Sequence, residues 1–102
     1  MRDLPGKPDI AIKKFKLALE VRGCFWHGHE GCSDFRLPKT NVEFWGTKIN
    51  ATVLRDAGNE EKLKALGYSV FVIWECDLKR DASSAVMPFL KEYWLRKDIA
   101  ER

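Results

Sequence analysis

Polar and apolar positions change period several times along the chain, and each change marks an element. Phe15 to Arg22 alternates at every residue. Phe15, Leu17, Leu19 and Val21 fall on one side and Lys16, Ala18, Glu20 and Arg22 on the other, the period of a β-strand. Asp9 to Ile12 reads as a short strand before it, with Lys13 and Lys14 as the turn, so the two predict a hairpin. The first eight residues carry Pro5, Gly6 and Pro8 and predict irregular structure. From Gly23 to Pro38 no period is sustained; a loop of that length in a small domain is uncommon and usually functional. Thr40-Asn41-Val42-Glu43 has the form of a capping box with Thr40 as N-cap. It predicts a helix from about Asn41 to about Leu66, with Trp45, Ile49, Thr52, Val53 and Asp56 roughly on one stripe. Gly46 and Gly58 each weaken that helix by about 1 kcal/mol relative to alanine, leaving one bent helix or two in series, and Gly67 fits its C-terminal end. Ser69 to Glu75 is almost continuously apolar and predicts a central strand covered on both faces. The polar run Asp77 to Asp81 predicts a loop. A final helix is expected from about Ser84 to Lys97, with Pro88 near its first turn, where a missing N–H costs least; residues 100–102 should fray.

The order strand, strand, long helix, strand, helix predicts one domain over residues 1–102. Its class is α/β (α+β), a small mixed sheet flanked by helices. The path through the long helix into the apolar strand is the crossover. A chain of 102 residues buries one core, and 45% hydrophobic with 32% charged residues is ordinary for a globular domain. No apolar run approaches the roughly 20 residues of a membrane span, so no membrane partner is expected. The first residues lack the apolar stretch of a signal peptide, so the expected location is the cytoplasm. The net charge of +3 permits an anionic partner such as nucleic acid without demanding one.

Three groups of residues carry chemistry. Asp9 opens the first strand and Glu20 and Arg22 close the second, so the hairpin can bring Asp9 and Glu20 together. Two carboxylates on one sheet edge repel unless a divalent cation such as Mg²⁺ sits between them, with Arg22 beside it to neutralise a developing negative charge. The plain alternative is a set of solvated charges on an exposed strand face. Cys24, His29 and Cys32 form a C-x4-H-x2-C cluster, and Cys76 follows the apolar strand as a fourth ligand. Thiolates with an imidazole make a tetrahedral structural zinc site. The odd count of three cysteines argues against a bridged secreted framework, though three buried cysteines can also serve as small hydrophobes. His27, between these ligands, has three available roles: zinc ligand, surface residue or general base. Phe25 and Trp26 sit in a glycine-flanked loop, where aromatics suit stacking into nucleic acid. Trp45 either joins them or packs in the core.

Taken in order, Leu4-Pro5-Gly6-Lys7-Pro8-Asp9, Gly23-Cys24-Phe25-Trp26-His27-Gly28-His29, Pro38-Lys39-Thr40 leading to Glu43-Phe44-Trp45, Arg55-Asp56 and Val72-Ile73-Trp74-Glu75-Cys76 resemble the very-short-patch-repair (Vsr) DNA mismatch endonucleases. The resemblance runs from about Leu4 to Cys76. It implies a restriction-endonuclease-like fold with a zinc-stapled loop, and Mg²⁺-dependent nicking of one strand of double-stranded DNA beside a T·G mispair, in a cytoplasmic, nucleoid-associated repair enzyme. By position it implies that Asp9 binds the catalytic Mg²⁺, that His27 activates or orients water and that Asp56 supports it. Cys24, His29, Cys32 and Cys76 would hold structural Zn²⁺, and Phe25, Trp26 and Trp45 would insert into the duplex.

Three departures accompany the resemblance, one of them an extra residue between His29 and Cys32 relative to the family's usual loop. Glu20-Val21-Arg22 is similar to the E-x-K half of the broader PD…(D/E)xK nuclease signature, with arginine for lysine, which adds Glu20 as a second metal ligand and Arg22 as a catalytic cation. Family members also carry a longer N-terminal helical segment, so this chain is expected to lack it. That leaves two alternatives open: a catalytically impaired or inactive, zinc-containing DNA-binding domain, and a chain that needs a homo-oligomer or a partner chain.

Overall fold

The computed structural model describes residues 4–33 and 35–101. The expected irregular start is therefore seen only from Leu4 onward, and fraying at Arg102 falls outside the described residues. The elements are β1 (Ile10–Ile12), β2 (Leu17–Arg22), α1 (Val42–Ala65), β3 (Ser69–Trp74) and α2 (Glu75–Ala100). The three strands form one sheet in the order β1-β2-β3. β1 is antiparallel to β2, with Ile10 opposite Leu19, and β2 is parallel to β3, with Arg22 beside Trp74. A parallel pair needs a crossover, and α1 supplies it. The predicted small mixed sheet flanked by helices is what forms.

β2 is the centre of the sheet, and both of its faces are covered except at Val21, which is exposed. Leu17 and Leu19 pack with Ile73 and Phe89 beneath α2. Ala18 packs with Leu4, Leu63 and Tyr68 beneath α1. Glu20 and Arg22, on the α1 face, are also buried. The central strand was expected at Ser69 to Glu75, but β3 is an edge strand that ends at Trp74. Helices on both faces make an edge strand as apolar as a central one, so composition alone does not separate the two positions.

α1 is one continuous helix through Gly46 and Gly58, whose missing side chains leave open space outside it. It does not use the capping box. Asn41 is the N-cap, in the left-handed conformation that asparagine tolerates, and makes no side-chain cap. Glu43 instead sits in the first turn, where its charge meets the helix dipole. The C-terminal end is a Schellman motif: Tyr68 N–H donates to Leu63 O at 3.0 Å and Gly67 N–H to Lys64 O at 2.9 Å. Gly67 has the positive φ this needs, and Leu63 and Tyr68 make the accompanying apolar contact.

The expected loop at Asp77 to Asp81 is instead helical as far as Arg80. Its charges pair along the helix, Arg80 with Asp77 at 2.7 Å and Lys79 with Glu75 at 3.7 Å, so a polar run here marks an exposed helix face. Asp81 breaks the helix with extended backbone (φ −159°, ψ 93°) and caps the second part of α2. Its carboxylate accepts from Ser84 N–H at 3.2 Å and from Ser84 Oγ–H at 2.7 Å. With Asp81 as the cap, Pro88 lies in the second turn of that segment and not near the first. No described helix is long and apolar enough to cross a membrane.

Candidate functional site

Three clusters converge on the end of β2 and the turns beyond it. The first is His27 with Asp56. Residues 23–33 are a succession of turns closed by His27 N–H to Gly23 O at 3.1 Å and His29 N–H to Cys24 O at 3.0 Å. Gly28 has φ +61°, and a Cβ there would stand 2.8 Å from Ile49 Cγ2. Only glycine lets this turn lie so close to α1. That approach brings His27 Nδ1 to 2.7 Å from Asp56 Oδ2. An ionised carboxylate only accepts, so Nδ1 carries the proton and Nε2 is the nitrogen left for chemistry. The pair lines an open pocket of about 450 Å³ with Leu4, Gly6, Lys7, Arg55 and Asn59. Lys7 and Arg55 give it a cationic wall.

The second cluster is at the hairpin mouth. Asp9 precedes β1, one step beyond the Ile10–Leu19 pair, which puts it opposite Glu20. Its exposed carboxylate accepts Val21 N–H on Oδ2 at 2.7 Å. Asp9, two residues after Lys7, does not itself line the His27 pocket. Glu20 and Arg22 are not solvated charges on an open face. Arg22 donates to Glu20 Oε2 through Nη2 at 2.9 Å and Nε at 3.3 Å, and to Glu60 Oε1 at 2.7 Å. Burial works against the Arg22 charge, but Glu60 and Glu20 more than offset it and hold the guanidinium above its ordinary pKa. Glu60 has no motif to announce it; its place on α1, one turn after Asp56, was the available signal.

The third cluster is Cys24, His29, Cys32 and Cys76, whose ligand atoms all lie within 4.8 Å of one another. A tetrahedral zinc site with legs of about 2.3 Å to sulfur and about 2.1 Å to nitrogen has edges of about 3.6–3.8 Å. Cys76 Sγ lies 3.6 Å from His29 Nδ1, so the donor set fits a soft dication in both chemistry and spacing. Desolvation, together with the adjacent thiols of Cys24 and Cys32, pushes the Cys76 thiol up to about 12. The His29 ring is also stacked on Trp74, centroids 4.0 Å apart, which fixes its orientation.

Beside the His27 turn, Phe25, Trp26 and Trp45 touch edge to face, with centroids 5.1–5.8 Å apart. Phe44 extends the patch at 5.2 Å from Trp45, and Lys48 Nζ stands about 6 Å from the Trp26, Phe44 and Trp45 rings. Trp26 and Phe44 are more than half exposed, while Trp45 is half-buried. Sequence reasoning had not singled out Phe44, Lys48 or Trp74.

The chain is similar to several known proteins. A family model described as DNA mismatch endonuclease Vsr matches residues 1–34. The type II nicking enzyme V.NmeAIP of Neisseria meningitidis serogroup A is 46% identical over 77 residues, 76% of this chain and 54% of that protein. V.XorIIP of Xanthomonas oryzae pv. oryzae is 48% identical over 77 residues, 76% of this chain and 56% of that protein. The DNA mismatch endonuclease Vsr of Escherichia coli K12 is 41% identical over 76 residues, 74% of this chain and 48% of that enzyme. These matches support a place for the chain in the Vsr family. The small mixed sheet with its two helices agrees with the restriction-endonuclease-like fold of that family. The chain spans about half the length of these curated relatives.

Proposed function

We propose that this Vsr-family chain is a Mg²⁺-dependent DNA endonuclease that nicks one strand of a duplex beside a T·G mispair. The observation that carries the reading is the 2.7 Å contact between His27 Nδ1 and Asp56 Oδ2 in a pocket that Lys7 and Arg55 make cationic. With Nδ1–H held by Asp56, Nε2 takes the proton of a water as its oxygen bonds to phosphorus and the P–O bond to the leaving strand breaks. Asp56 stabilises the imidazolium that results. Lys7 and Arg55 hold the phosphate, whose charge grows in the transition state.

Asp9 and Glu20 supply hard carboxylate oxygens at the mouth of the hairpin, the donor type Mg²⁺ takes. Bound there, the ion lowers the pKa of water and offsets phosphate charge. Cys24, His29, Cys32 and Cys76 hold structural Zn²⁺, which ties the His27 turn to the end of β3. Phe25, Trp26 and Trp45 stack on bases near the mispair.

A nicking assay on matched and T·G duplexes, with Mg²⁺ or with chelator, tests this. Nicking should require Mg²⁺, favour the mispair and vanish in Asp9→Ala. An unchanged rate in that variant removes Asp9 from the reaction. Salt-sensitive DNA binding without cleavage under any divalent ion would make the chain a DNA-binding domain instead.

A further inference from the structure

The charges of Arg22, Glu20 and Glu60, the first two buried and the third partly so, meet beside the His27–Asp56 pair. Asp56 and Glu60 are four residues apart on α1 and share a face. Arg22 ends β2, and the turn carrying His27 begins at the next residue. The same two segments are therefore bridged twice, by Arg22–Glu60 at 2.7 Å and by His27–Asp56 at 2.7 Å. Of the two cationic partners Arg22 is the more deeply placed, its side chain 9% exposed against 29% for His27. No Cα of α1 lies within 8 Å of a Cα of β2, so at this end the two elements are linked by side chains. Arg22 cannot swing away, because Glu20 takes two of its N–H groups and Trp74 lies 5.9 Å from its guanidinium carbon.

We propose that Glu60 is a positioning residue: through Arg22 it holds α1 at the spacing from β2 that keeps Asp56 on Nδ1 of His27. Its importance for cleavage rests on the nuclease reading, but the geometric claim does not. Glu20 fixes the Arg22 fork through Oε2 alone, which leaves Oε1 as the oxygen it offers a metal.

The chain has two histidines, so ¹⁵N-histidine labelling gives a readable Nδ1–H signal for His27, assigned by its loss in His27→Gln. The signal should be strong in the unaltered protein and lost to solvent exchange in Glu60→Ala. Glu60→Gln keeps an oxygen for Arg22 to bond and should retain it. Glu61→Ala, next along the helix and exposed, should also retain it. In the nicking assay Glu60→Ala should lower kcat by about ten- to hundredfold with KM for DNA unchanged, and Glu60→Gln should restore most of the loss. A folded Glu60→Ala that keeps the His27 signal overturns the proposal, as does a Glu60→Gln that loses it fully. If circular dichroism shows Glu60→Ala unfolded, Arg22→Lys decides: it keeps the charge but not the fork, so the signal should disappear, and its persistence overturns the proposal. Absence of nicking by the unaltered protein would sink the nuclease reading while leaving the signal comparison decisive for Glu60.

Discussion

Replacing Arg22 by methionine tests whether its pairing is a buried interaction or a surface one. The side chains of Arg22 and Glu20 are 9% and 12% exposed, and that of Glu60 is 27% exposed. Methionine preserves most of the apolar stem but leaves two carboxylates facing each other with no cation between them. Removing one partner of a buried ion pair costs about 3–5 kcal/mol, mostly because the remaining charge is stranded. The partial exposure of Glu60 places this case near 3 kcal/mol, or a fall in melting temperature of about 12 °C or more for a domain of this size. Urea unfolding followed by tryptophan fluorescence and circular dichroism measures the loss. The double variant Arg22→Met/Glu20→Gln removes the more deeply stranded charge and should recover at least about 1 kcal/mol of it, a non-additivity expected of groups in contact. A loss below about 1 kcal/mol in the single variant would put the pair in the range of solvent-screened surface bridges and refute the claim that these charges are withdrawn from water.

Other parts of the molecule give three further expected outcomes. Asp81→Ala should destabilise the chain at neutral pH, because the variant loses the cap on the second part of α2. Hydrogen bonds from Ser84, side chain first and then backbone, hold the Asp81 carboxyl below its ordinary value. A depressed carboxylate stabilises above its unfolded pKa and loses that effect as pH falls through the folded one, so the gap in thermal melts should narrow below about pH 4. Metal analysis should find one zinc per chain, and a strong chelator should lower the melting temperature and change tryptophan fluorescence, since Trp74 stacks on His29; an unchanged melt in metal-free protein counts against a stapling role. Trp26→Ala should weaken duplex binding at least several-fold at a stability cost of only about 1 kcal/mol from its edge-to-face contacts, because the residue is 52% exposed; anisotropy titration at fixed salt reads the first and urea unfolding the second.

Which features were legible in the sequence depends on how far apart the interacting residues lie. Cys24, His29 and Cys32 fall within nine residues, and Cys76 sits at the end of a strand whose apolar run is plain, so the cluster could be anticipated from spacing. The hairpin, the helical span after Thr40 and its glycine end were similarly local, although the pattern left that span as one bent helix or two in series. Glu20 and Arg22 were different. Their alternation with Leu19 and Val21 gave the correct strand, but their charges argued for an exposed face. The face is buried because Glu60, 38 residues beyond Arg22, completes the neutralisation, and nothing near either residue announces the other. Asp56 shows the same limit: spacing placed it on a helical stripe, while its role came only from the family resemblance, since its histidine lies 29 residues away in the chain. Asp77 to Asp81 fails for the opposite reason, because charges at helical spacing satisfy one another locally and still look like a loop when counted only as polar. The apolar pattern thus locates elements, and local spacing locates a metal cluster. The His27–Asp56 pair and the charge clamp beside it become visible only when the crossover brings α1 over the end of β2.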